Sequence, residues 1–174
     1  ILQHSYLQIW LQNNSSNTGG GVYVGNSDIS LNYIDISLNN SYDYGGGLTL
    51  SAWSSTLNNA SLINCTFYDN YSSQNTSANG IAIFEPSSSF ITTILNSIIW
   101  ENIYGGGSLT VEYSNTQQVY SGIGNISINP DLVSTNPNSP DYNLNATSLC
   151  IDAGNPAVIY NDPNGTRNDM GAYP

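Results

Sequence analysis

Lysine is absent from this 174-residue chain, and Arg167 is its only fixed cation. Twelve acidic residues leave a formal net charge of −11, with no basic cluster anywhere along the sequence. Nucleic acids and anionic membranes are held through such clusters, so the composition argues against both as partners. Histidine occurs once, as His4, which leaves Ser–His and metal–His arrangements without support. A polysaccharide lyase needs an Arg or Lys base on a repeat face, and Arg167 lies instead in the terminal segment. The acids Asp28, Asp35, Asp43, Asp69, Glu85, Glu101 and Glu112 are scattered singly. An inverting glycosidase sets two carboxylates about 6.5–9.5 Å apart, and no spacing here announces such a pair. The sequence singles out no catalytic residue and no cofactor. Cys65 and Cys150 are too few for a disulfide framework and read as small buried apolar residues. No apolar run approaches the roughly 18 residues of a membrane span, so membrane insertion is not expected. There is no initiator Met, and Ile1 begins inside a strand-like pattern; the chain reads as processed or partial, with export information removed.

What is present is asparagine and serine, 26 and 25 residues, beside 39% apolar and only 7% charged residues. The surface must therefore be polar through amides and hydroxyls. Disorder is disfavoured because the aliphatic residues recur at fixed spacing. Residues 6–14 read YLQIWLQNN, 33–41 YIDISLNNS, 62–70 LINCTFYDN and 94–102 ILNSIIWEN. Each contains a period-two triplet, the strand signature: Leu7/Ile9/Leu11, Ile34/Ile36/Leu38, Ile63/Cys65/Phe67 and Leu95/Ser97/Ile99. Three residues beyond each triplet stands Asn14, Ser41, Asn70 or Asn102. A second strand follows glycine in every repeat: Val22-Tyr23-Val24, Leu48-Thr49-Leu50, Ile81-Ala82-Ile83 and Leu109-Thr110-Val111. A third, such as Ile29-Ser30-Leu31 or Phe90-Ile91, precedes the next repeat.

An antiparallel meander would also place strands between Gly and Asn. It has no need of the same triplet, amide and glycine in every repeat, whereas stacked coils do. The expected fold is all-β, a right-handed parallel β-helix (β-solenoid) of about four to five coils. Residues 1–113 are expected to form the coils. Residues 114–174 are expected to supply the last coil and a C-terminal cap of the same domain. Leu11, Leu38, Phe67 and Ile99 are expected to stack, flanked by Ile9/Ile36/Cys65/Ser97 and Leu7/Ile34/Ile63/Leu95. Asn14, Asn70 and Asn102 are assigned to corners, where the amide bonds the adjacent backbone. Gly20, Gly46 and Gly106 are assigned to the turns.

Phe67-Tyr68-Asp69-Asn70 and the Gly-Gly-Gly-plus-aliphatic turns resemble the FxxN and GGA[ILV] repeats of polymorphic outer-membrane proteins. The last third carries Asn129-Pro130-Asp131-Leu132, Asp141-Tyr142-Asn143-Leu144, Ser148-Leu149-Cys150-Ile151-Asp152-Ala153-Gly154-Asn155-Pro156 and Gly165-Thr166-Arg167-Asn168-Asp169-Met170-Gly171-Ala172-Tyr173. It is similar to the end of bacterial surface β-helix proteins of the choice-of-anchor kind, with their DPLF…DYHL…SPCIDAGNP…DG..R.DMGAY pattern. Departures are Pro-Asp-Leu for Pro-Leu-Phe, Leu149 where Pro is common, and Pro-Asn-Gly for an Asp-Gly turn. The resemblance implies the β-helix fold and a secreted or cell-surface location, and no particular reaction.

Three classes of function remain. One is an extracellular structural or adhesive module, including head-to-tail assembly into a filament. Ile1 and Leu2 open the first coil without a cap, so other copies or upstream chain are the expected partners there. The second is carbohydrate binding, with Trp53, Trp100, Tyr42 and Tyr44 stacking on sugars. The third is a degraded polysaccharide lyase or hydrolase, which a carboxylate cluster in a groove would revive. Asp162, Asn164 and Asp169 loosely resemble a calcium loop, but the ligand ladder is incomplete and Arg167 within it repels a cation. The favoured reading is a structural turn in which Arg167 pairs with Asp152 or Asp169 and with carbonyls, closing the last coil. Ten Asn-X-Ser/Thr sites leave glycan attachment open.

Overall fold

The computed structural model describes residues 9–53, 57–84 and 90–173. Ile1, Leu2, His4, Leu7 and Glu85 lie outside them, and with them the expectation of an uncapped first coil. Strands dominate, and two short 3-10 turns, Thr76–Ala78 and Val158–Tyr160, are the helical elements among the described residues. None is long and apolar enough to cross a membrane.

Alternation along the chain produces strands, and repetition stacks them in parallel. The first sheet contains Ile9–Gln12, Ile34–Ser37, Thr66–Tyr68, Ile98–Ile99 and Asn115–Thr116 in that order. The second contains Ser15–Thr18, Asn40–Tyr44 and Tyr71–Ser72. The third stacks Val22–Gly25, Leu48–Ser51, Ile81–Phe84 and Ile103–Gly105; the fourth stacks Ile29–Asn32, Asn58–Ile63, Phe90–Leu95 and Ser108–Glu112. Every pair within these four sheets is parallel, and each strand meets its counterpart one rung along the chain. The first three rungs thus hold four strands each, one more than the three expected.

The core runs up the middle. Ile36, Phe67 and Ile99 stack from the first sheet, Leu48, Leu50 and Ile81 from the third, and Leu62 and Ile94 from the fourth, all fully buried. The register differs from expectation in the second repeat. Leu11 pairs with Ile36, and Ile36 with Phe67. Leu38 leaves the stack and turns the corner in the left-handed conformation, φ 58°, as Asn13 (57°) and Asp69 (60°) do in neighbouring rungs. The amide that follows each corner is therefore Asn14, Asn39 and Asn70, with Asn39 in place of Ser41. The glycine-led strand of the fourth repeat also moves. Ile103–Gly105 continues the third sheet, while Leu109-Thr110-Val111 pairs with Thr92-Thr93-Ile94 in the fourth.

The C-terminal third divides its work. At the top of the stack, Tyr120, Ile103 and Leu109 pack half-buried against the core cluster that includes Val111, and Asn125 Nδ2 donates to Val111 O at 2.8 Å. Residues 129–173 instead turn back along the outer face of the first sheet. There Leu132, Tyr142, Cys150 and Met170 form a second apolar cluster with Ile98. Ala172 N donates to Thr66 Oγ1 (2.9 Å) and Tyr173 OH to Asp35 Oδ2 (2.7 Å), so the segment reaches the second rung. Arg167 accordingly braces a lateral strap and does not close the last coil. Its Nε donates to Gly154 O (2.6 Å) and its Nη2 to Ala153 O (3.1 Å), rather than to Asp152 or Asp169.

Candidate aromatic groove and buried amide ladder

The turn from the second sheet into the third is made by glycine for a steric reason. Gly45 sits at φ +62°, and a Cβ there would lie 2.1 Å from Thr49 Oγ1 and 2.5 Å from Leu48 O. Gly20 and Gly46 stack so closely that a Cβ on Gly20 would lie 2.3 Å from Gly46 O. Gly106 has open space around it and belongs to no such stack.

This tight corner brings Tyr44, the last residue of its strand, against the outward side of the third sheet. In register along that side stand Tyr23, Thr49, Ala82 and Tyr104, with Phe84 beside Ser51 in the next row. The small residues form a floor and the rings stand around it. Tyr44 meets Phe84 edge-on, with centroids 4.5 Å apart at 75°, and Tyr104 in a near-parallel stack at 6.1 Å and 24°. Trp53, 74% exposed, completes the wall, and its backbone N–H donates to Asn26 Oδ1 at 2.7 Å. The result is a groove of about 610 Å³ lined by Tyr23, Tyr44, Trp53 and Phe84, with Asp43 and Thr18 as polar members. No family model, curated protein or solved structure matches this chain.

Of the four aromatic residues proposed from sequence, Tyr44 and Trp53 meet in this groove. Tyr42 is exposed on the same strand as Tyr44 without lining it, and Trp100 packs beside the Ile98–Met170 cluster on the first sheet. Tyr23, Phe84 and Tyr104 were missed. They are separated in sequence, and only the strand register unites them.

The second ordered feature is a buried amide ladder. Asn39 Oδ1 accepts from both N and Nδ2 of Asn14 at 3.0 Å, and Asn70 Oδ1 accepts from N and Nδ2 of Asn39 at 3.1 and 2.9 Å. Each Nδ2 also donates back, Asn39 to Leu11 O (2.6 Å) and Asn70 to Ile36 O (2.8 Å). Glu101 completes the ladder where Asn102 was expected, because the fourth corner is one residue shorter and the longer side chain covers the difference. Its Oε1 accepts from Asn70 N, and its Oε2 from Asn70 Nδ2 at 3.0 Å. Asn102 turns away, donating to Thr76 O and accepting from Gln118. Burial pushes the Glu101 carboxyl up to about 8, partly offset by the two Asn70 donors.

The remaining sites are occupied by local bonding. Asp162 Oδ1 accepts from Asn168 Nδ2 and Oδ2 from Asp169 N; Asn164 Oδ1 accepts from Thr166 N and Oγ1. Asp169 Oδ1 accepts from Asp152 N, and burial, with Asp162 and Asp152 nearby, raises its carboxyl to about 6. Among the described residues, no three His, Cys, Asp or Glu side chains are placed to hold a metal. Cys65 and Cys150 are buried and unpaired, and burial pushes the Cys65 thiol up to about 12, which makes it a poor nucleophile.

Proposed function

We propose that the chain is a right-handed parallel β-helix acting as an extracellular structural and adhesive module, and that its adhesive contact is an uncharged glycan held in the aromatic groove. The observation that carries this reading is the convergence of Tyr23, Tyr44, Trp53 and Phe84 around one groove. Aromatic faces bind the C–H face of a sugar ring by dispersion and apolar burial, with a few polar groups fixing orientation. Asp43 and Thr18 are placed to meet hydroxyls. A net charge of −11 disfavours acidic polysaccharides, which leaves neutral chains as the matching class. A parallel stack also suits a surface role, since rungs present side chains at a regular repeat over a long face. The test is calorimetric titration of the chain with neutral oligosaccharides, comparing Trp53→Ala and Tyr44→Ala. Binding that weakens about tenfold or more in Trp53→Ala is expected for a truncated central aromatic contact. Binding that ignores both substitutions, or no binding to any neutral glycan, removes the proposal.

A further inference from the structure

A second pocket, of about 330 Å³, shares no lining residue with the groove and lies where the strap meets the first two rungs. Its lining includes Trp10, Asp35, Asp141, Tyr142, Asn143 and Tyr173. Asp35 is 1% exposed, on a face where strand alternation points it away from the main core and toward the strap. Its Oδ2 accepts from Gln12 Nε2 (3.1 Å) and Tyr173 OH (2.7 Å), while its Oδ1 has no hydrogen-bond partner. Ser37 Oγ and Tyr142 OH, equally buried beside it, are also unpartnered. Such unmet buried groups are rare in folded proteins, so they point to something that completes them. Asp141 accepts from Asn143 N and Nδ2 through Oδ1 alone.

Two acidic side chains thus face one pocket that has no basic residue in its lining. Arg167, the one fixed cation, is bonded to Gly154 and Ala153. The walls are aromatic, and Trp10 is 62% exposed. Ring faces attract cations, Trp most of all. A hard metal is the poorer match, since calcium takes about six to eight oxygen ligands and aromatic walls supply none. We infer that this pocket binds an alkylammonium group, presented by an amino sugar or a simple aliphatic amine, seated against Trp10 between Asp35 and Asp141. The ammonium provides the counter-charge that Asp35 lacks, and its N–H donors reach Asp141 Oδ2, which the two Asn143 bonds leave open. Burial holds the Asp35 carboxyl above the ordinary carboxylate range in the empty pocket, with the Tyr173 and Gln12 hydrogen bonds partly offsetting it.

The site is independent of the aromatic groove, so its test runs separately. The whole chain is titrated with n-butylamine, glucosamine, N-acetylglucosamine and glucose while the Trp indole resonances are followed by NMR. Glucosamine and N-acetylglucosamine share a ring and differ in charge, and butylamine carries the charge without the ring. Both amines are expected to shift the Trp10 indole, with affinity falling about fivefold in Asp141→Asn and in Trp10→Leu. Binding of glucosamine but not butylamine assigns the source as an amino sugar; equal binding assigns a plain alkylammonium. Trp53→Ala should leave both titrations unchanged. A Trp10 shift with N-acetylglucosamine or glucose as tight as with glucosamine, no Trp10 shift with either amine, or full affinity in both variants would overturn the inference. Asp141 and Trp10 lie at the surface end of the pocket, so these variants test it even if Asp35→Asn fails to fold.

Discussion

Replacing Glu101 by Gln should stabilise the protein, and by an amount that grows with pH. Glu101 is buried at the end of an amide ladder, with its ordinary value of 4.5 raised to about 8. Below pH 4.5 the carboxyl is protonated in both folded and unfolded chains and carries no penalty. Between 4.5 and about 8 the unfolded chain ionises while the folded one holds its proton, so this group's contribution falls as pH rises. Above that range the full cost of a buried charge is present. At about 1.4 kcal/mol per pKa unit the shift corresponds to a ceiling of about 5 kcal/mol. Glutamine removes the charge and suits the ladder. Its carbonyl can take both Asn70 donors, as Asn70 Oδ1 takes both of Asn39. Its amide can donate back to the Phe67 carbonyl, as Asn70 does to Ile36. Urea unfolding of wild type and Glu101→Gln at pH 4 and pH 9 measures the difference. Near-equal stability at pH 4 and a variant more stable by about 2–5 kcal/mol at pH 9 are expected. A difference that does not grow with pH, or a wild type that outlasts the variant at pH 9, refutes the reasoning. Comparing the two proteins cancels the other raised carboxyls, Asp35, Asp162 and Asp169.

The register can be read by two aspartates. Ile36→Asp buries an unpaired charge in the core and should abolish cooperative unfolding by circular dichroism, whereas Leu38→Asp, at a left-handed corner that aspartate tolerates, should keep the fold. Gly45→Ala combines a positive φ with a Cβ 2.1 Å from Thr49 Oγ1, so a loss of more than about 1 kcal/mol in urea titration is expected. The same change should disturb Tyr44, which near-ultraviolet dichroism would register.

Alternation and repetition were legible in the residues themselves. Period two is a local property of a strand, and a motif that returns in each repeat imposes parallel stacking on any arrangement that buries its apolar face. The all-β class and the stacked strands follow from that. Which of Ile34, Ile36 and Leu38 enters the core did not, because all three satisfy the same alternation. The choice was made by Asn39, whose amide bonds Asn14 and Asn70, respectively 25 and 31 residues away. Glu101 took the ladder position expected for Asn102 because the fourth corner is shorter, and corner length is visible only once the rungs are aligned. Tyr23, Tyr44, Phe84 and Tyr104 face one another through strand register and a glycine corner, neither of which is encoded in any single segment. The Asp35 pocket exists because the C-terminal strap turns back along the first sheet and brings Tyr173 to a residue 138 positions earlier. Contacts of that span are decided by what buries the outer face of the first sheet, a tertiary fact that local pattern does not carry.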